Sequence, residues 1–217
     1  MYLITELGTG CDKKLPQARL FFSIYYKVED RAFALASSTW LTETKKCNLF
    51  NARTDACIEI EVTTESDFKN AWSSIAHTAK QGRYTVWRGN IFSHASKQVE
   101  GNDGLEFIPD SEQNGTLQFR EISRLQQLDW GNNAVLLLSG CNTGLTSGRG
   151  WSPAQAFATQ QKVKTLGQKG FSYFSNSWEN YGQKSPRDQR ICLWAYERGQ
   201  NGLLGGGRRI SGQIFRP

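Results

Sequence analysis

Histidine is nearly absent from this 217-residue chain; there are two, His77 and His94. Any imidazole chemistry must therefore run through one of two side chains. Proline occurs only five times, and no stretch rich in Pro or Ser divides the chain into domains. The five cysteines, Cys11, Cys47, Cys57, Cys141 and Cys192, are odd in number and widely scattered, without a C-x-x-C pair. That pattern speaks against a disulfide framework and against a structural zinc site. It reads as reduced thiols in a cytosol-like compartment, mostly packed as small hydrophobes. No apolar run approaches the ~20 residues of a membrane helix. The opening Met1-Tyr2-Leu3-Ile4-Thr5-Glu6 lacks the basic and long apolar regions of a secretory signal, so a cytoplasmic location and no membrane partner are expected. The glycine-rich stretch Gly202–Gly207 does not join a strand to a helix and lacks a Walker lysine, so it makes no phosphate cradle. No cofactor or metal is expected.

What is present is a foldable chain. At 38% hydrophobic and 12% aromatic residues it is too apolar for a disordered segment, and its length suits one domain with a substantial core. The formal net charge of +6 is unevenly placed. From Arg149 onward there are 11 Lys/Arg against Glu179, Asp188 and Glu197, whereas the preceding residues are slightly acidic. A basic last third suits an acidic partner, or is simply a solvated surface. The basic residues are dispersed and no nucleic-acid motif accompanies them, so nucleic acid is not expected as a partner.

The patterning alternates strands with helices. Residues 1–18 read as an irregular segment, and 19–217 as a single domain. Arg19–Lys27 is aromatic and β-branched enough for a buried strand, an alanine-rich helix follows from Glu29 to about Thr44, and Cys57–Val62 alternates as a half-buried strand. Phe68, Trp72, Ile75, Ala76 and Ala79 mark one helix face, with Thr64 and Asp67 as its capping box and Gly82 as its C′ stop. Tyr84–Ser93 reads as a strand leading to His94, followed by a turn at Gly101–Gly104. Leu105–Ile108 and Thr116–Phe119 read as hairpin arms, and Arg120–Leu128 as a short helix. Asn133–Ser139 is a continuous apolar run, as in a central strand covered on both faces. Ser152, Pro153 and Gln155 give three agreeing signals for a helix start. A strand is expected at Phe171–Ser175, and a second helix from Ser185-Pro186 to Gly199. The sum is an α/β fold with a mostly parallel sheet and helices on both faces, which binds ligands at the carboxyl ends of its strands.

His94 and Cys141 both fall at such strand ends. Cys141 closes the most apolar strand and opens Cys-Asn-Thr-Gly, between Gly140 and Gly144. A free thiol has a pKa of about 8.5, so attack at neutral pH needs a base, which a neighbouring imidazole supplies. Backbone N–H groups at a strand end suit an oxyanion hole. The plainer alternative is a packed thiol and a loop histidine. His77, inside the amphipathic helix, reads as a surface side chain.

The stretch from about Arg83 to Trp178 resembles the CHAT branch of the caspase-like (clan CD) cysteine peptidases. Its points of likeness are Phe92-Ser93-His94-Ala95, the Gly104–Phe107 hairpin arm, Val135 to Gly144 around Ser139-Gly140-Cys141-Asn142-Thr143-Gly144, then Pro153–Leu166 as a helix and Phe171 to Trp178 as a strand ending near tryptophan. His94 and Cys141 lie 47 residues apart, in keeping with caspases. The resemblance implies a caspase-like three-layer sandwich, Cys141 as nucleophile, His94 as general acid/base, and an oxyanion hole from the backbone N–H groups of Ala95 and Cys141. Ala95, Gly140 and Asn142 depart from the usual Gly, Ala and Glu. Beside the nucleophile, Asp103, Glu179 and Asp188 are candidates for a pocket that takes Arg or Lys, and Arg149 and Arg187 for one that takes Asp or Glu. Trp151 and Trp178 are candidates to wall the site. The implied substrate is a protein. A catalytic domain without helical repeats suits a bacterial effector toxin delivered into a target cytosol and held by an acidic inhibitor or immunity protein. Two other readings stay open, namely an inactive caspase-like binding module with a basic face, and a flavodoxin-like module for a small acidic ligand.

Overall fold

The computed structural model describes residues 17–27, 31–95, 104–107, 115–146, 150–168, 171–175, 192–196 and 213–216. The irregular segment expected at 1–18 lies almost wholly outside them. The main sheet is built on β1 (Arg19–Tyr26), whose residues alternate between two covered faces. β2 (Ala56–Val62) runs parallel on one side of β1, and β3 (Thr85–Phe92) runs parallel on the other. Beyond β3 come β7 (Trp130–Ser139) and β8 (Lys164–Gly167), both parallel, and then β11 (Gln213–Phe215), antiparallel to β8. The order is β2-β1-β3-β7-β8-β11. A small antiparallel sheet joins β4 (His94–Ala95), β5 (Leu105–Glu106) and β6 (Thr116–Leu117).

Helices cover both faces. On one side lies α1 (Ala32–Lys46), where Ser37 Oγ donates to the Glu59 carboxylate at 2.5 Å and lies 2.8 Å from Ser23 Oγ. On the other lie α2 (Glu65–Gly82) and α4 (Pro153–Gln161), whose Trp72 and Phe157 rings stand 5.6 Å apart beneath Phe22. The expected capping box is present: Asp67 N–H donates to Thr64 Oγ1 and Thr64 N–H to Asp67 Oδ2, both at 3.0 Å. Phe68, Trp72, Ile75 and Ala79 are buried as the spacing requires. The helix stop differs. Arg83, not Gly82, takes the left-handed position, with φ 53°. Gly82 is small for another reason: a β-carbon there would run into the Tyr84 ring.

Four further expectations are corrected. α3 (Phe119–Ile122) is shorter than 120–128. The carbonyls of Leu125 and Gln126 accept from Gln160, Gln161 and Trp72 side chains instead of continuing a helix. α4 stops at Gln161 rather than Leu166, because Lys162 turns left-handed with φ 50° and the chain enters β8, which pairs with β7. Where a helix was expected up to Gly199, Cys192–Tyr196 forms β10, antiparallel to β9 (Phe171–Ser175) as a separate pair. The aromatic alternation of Cys-Leu-Trp-Ala-Tyr outweighs the Ser185-Pro186 start signal, which lies outside the described residues. In β7, Leu136 and Leu138 are fully buried, whereas Val135 and Leu137 on the opposite face are half-buried.

Candidate active site

β3 and β7 keep register from Arg88 opposite Val135 to Phe92 opposite Ser139. His94 and Cys141 each lie two residues beyond that last pair, at the carboxyl edge of adjoining strands. Neighbouring strands run ~4.8 Å apart. One step past the ladder the backbones are still in contact, since a β-carbon on Gly140 would stand 2.6 Å from Ser93 O. The sequence-predicted pair is therefore brought to one edge. The strand order reverses at β1, and the crevice outside the ends of β1 and β3 is where open α/β sheets take ligands.

His94 is exposed. Its ring meets Phe33 of α1 edge-on at 5.0 Å and Tyr26, the last residue of β1, at 6.1 Å. Tyr26 is itself buried, and its phenol is pushed above the ordinary value by burial first and by the Glu106 carboxylate second. In the small sheet His94 stands opposite Glu106, and Ala95 opposite Leu105. Ala95 is not among the positive-φ residues, so alanine fits where the resemblance expects glycine.

Cys141 is half-buried and opens a turn. Asn142 takes the left-handed conformation, φ 56°, which asparagine tolerates better than most residues, and its carbonyl accepts from Leu145 N–H at 2.9 Å. The turn is fastened on two sides. Thr143 Oγ1 lies 3.0 Å from Leu138 O and 3.1 Å from Gly140 O, and accepts from Gln168 N–H at 3.0 Å. Gly144 N–H donates to Gln168 O at 2.8 Å, and Ala154 N–H of α4 to Thr143 O at 2.9 Å. Ser152 caps α4, accepting from Gln155 N–H at 3.2 Å. The α4 N-terminus thus abuts the Cys141 turn, where its dipole favours negative charge.

Two buried oxygens at this edge, Ser93 Oγ and Asn142 Oδ1, have no hydrogen-bond partner among the described residues. Each such orphan costs about 1–3 kcal/mol. They flank His94 and Cys141 respectively; the other two such oxygens among the described residues, Glu65 Oε1 and Thr85 Oγ1, lie elsewhere.

Trp151 is half-buried and packs on the core, with its ring 5.4 Å from the exposed Phe119. It immediately precedes the capped start of α4, so it flanks the Cys141 turn. Asp103, Arg149, Trp178, Glu179, Arg187 and Asp188 lie outside the described residues. His77 is exposed on α2, away from the strand ends. Cys57 is half-buried and its thiol is pushed up by burial, as befits a packing residue. Sequence reasoning missed Tyr26, Phe33 and Glu106, because each reaches the site through register or tertiary packing, and it assigned no fastening role to Thr143 within the Cys141 motif. Among the described residues no group of three or more His, Cys, Asp or Glu side chains could hold a metal ion, and no helix is long and apolar enough to cross a membrane. A cleft of about 290 Å³ between α2 and α3 is lined by Lys69, Ser73, Glu121 and Arg124 and contains neither His94 nor Cys141. No protein-family model, curated protein or solved structure gives a significant match to the chain.

Proposed function

We propose that the chain is a caspase-like cysteine endopeptidase with Cys141 as nucleophile and His94 as general acid/base. The observation that carries this is the common register: each residue stands two positions beyond the Phe92–Ser139 pair on adjoining parallel strands. In the proposed cycle His94 takes the Cys141 thiol proton. The thiolate sulfur bonds to the scissile carbonyl carbon, and the carbonyl electron pair moves to oxygen. Backbone N–H groups at Ala95 and Cys141 stabilise that oxyanion. His94 returns the proton to the leaving amine as the C–N bond breaks, leaving a thioacyl enzyme. Water then adds with His94 as base, the C–S bond breaks, and the acid product and the thiol are restored.

The fastened turn around Thr143 supports this reading, since a nucleophile must be held within a fraction of an ångström of its productive place. Trp151 and Phe119 offer an apolar wall for a peptide. The basic balance after Arg149 suits an acidic inhibitor, as expected of a delivered effector. The test is identification of new protein N-termini in a lysate treated with the wild type or with Cys141→Ala. The reading expects termini unique to the wild type that share one residue before the cut.

A second reading is an inactive caspase-like binding module, in which the same fold is kept but His94 and Cys141 do not align. A thiol-reactive peptide probe separates the two. A peptidase is labelled as wild type and not as His94→Ala, whereas the binding module is labelled equally in both.

A further inference from the structure

We propose that Glu106 is the positioning carboxylate of the site, accepting a hydrogen bond from the His94 imidazole and turning its other nitrogen toward Cys141; this rests on the peptidase reading. His94 and Glu106 are a directly opposed cross-strand pair in the antiparallel β4–β5 ladder. Such pairs place their side chains on one face with β-carbons about 4.5–5.5 Å apart. Both side chains lie beside Tyr26. Its ring meets the imidazole edge-on, while its phenol feels the Glu106 charge. Phe33 closes another side of the imidazole with a ring that offers no acceptor in its plane. Among the described residues, the titratable groups placed around His94 are Tyr26 from β1, Glu106 from β5 and, by register, Cys141 from the turn after β7; α1 presents Phe33.

The chemistry requires such a group. A neutral imidazole has one donor and one acceptor nitrogen, and only the acceptor can take the thiol proton. A carboxylate on the donor side fixes that tautomer, sets the ring plane, and stabilises the imidazolium once the proton has moved. The hairpin between the two strand ends thus acquires a purpose, because it carries Glu106 back to the histidine at the tip of β3.

The test uses the fact that the chain has two histidines, of which exposed His77 is an internal control. Imidazole ¹⁵N resonances are followed with pH in wild type, Glu106→Gln and Glu106→Asp. The expected result is a His94 midpoint lower by about 1 unit in Glu106→Gln, with His77 unmoved and Glu106→Asp close to wild type. In wild type the neutral His94 shifts must show one dominant tautomer. On a cleaved peptide, kcat falls by roughly 10-fold or more in Glu106→Gln with KM little changed, and Glu106→Asp recovers part of it. An unshifted His94 midpoint in folded Glu106→Gln overturns the proposal, as does an even mixture of tautomers in wild type should that variant not fold. A shifted midpoint without any cleavage by wild type sustains the Glu106–His94 contact and instead removes the peptidase reading.

Discussion

A β-carbon on Gly140 would stand 2.6 Å from the carbonyl oxygen of Ser93. The two strands that end in His94 and Cys141 therefore touch through backbone where their ladder stops, and any side chain at 140 pries them apart. Gly140→Ala would introduce the residue usual in the resembling family, yet here it is expected to destabilise the domain by about 1–3 kcal/mol. Urea unfolding checks this, and a neutral substitution contradicts the register.

Thr143 holds the Cys141 turn by accepting from Gln168 N–H, with its hydroxyl in hydrogen-bond reach of Leu138 O and Gly140 O. Thr143→Val keeps the shape and removes the hydroxyl, leaving a part-buried N–H without its partner. A loss of about 1–3 kcal/mol is expected in thermal or urea unfolding. The rate at which Cys141 is modified should change as well, because the turn that carries it loses one of its two ties to Gln168, keeping only the Gly144 N–H to Gln168 O bond.

At the opposite end of the sheet, Arg19 grips Asp55 at 2.7 Å through Nη2 and at 3.1 Å through Nε. Burial by itself pushes the Asp55 carboxyl up, but the guanidinium and the N–H groups of Asn51 and Arg19 outweigh it and hold the group below its ordinary value. With a depressed folded-state pKa, the stabilisation is present in full above the unfolded value of about 3.9 and is lost as pH falls through the folded one. Asp55→Asn is expected to cost about 1.5–3 kcal/mol at neutral pH. The gap to wild type should close only below about pH 4; a gap that is flat with pH would mean that the ion pair carries none of the stability.

Thiol selectivity distinguishes packing cysteines from the proposed nucleophile. Burial raises the Cys57 thiol, so near neutral pH it should react slowly with iodoacetamide. Cys141, at the strand edge and beside the α4 N-terminus, should be alkylated well ahead of it. Peptide mass spectrometry with short exposure times reads both sites in one sample.

Much of the fold was legible because the signals were local. The Phe68–Ala79 stripe, the Thr64–Asp67 box and the Ser152 cap each lie within a few residues of what they specify. Reading failed where a distant partner decided the outcome. Lys164–Gly167 has no marked strand pattern of its own and becomes β8 because it pairs with β7. Residues 192–196 pair with 171–175 in spite of a helix-start signal upstream. At the site, His94 and Cys141 were visible as residues closing apolar runs, and so was the hairpin between them. The facing of Glu106 and His94 was not, because cross-strand register is set by a turn whose length no propensity reports. Tyr26 and Phe33 looked like ordinary core aromatics, which they also are.

In the proposed site one sulfur and one imidazole exchange a proton across the ends of β3 and β7. The most direct measurement of that exchange is the rate of Cys141 alkylation as a function of pH, in wild type and in His94→Ala. The wild-type rate is expected to stay high well below pH 8.5, and the His94→Ala rate to fall off as the thiolate fraction of an ordinary cysteine. Superimposable profiles in the two proteins would contradict it.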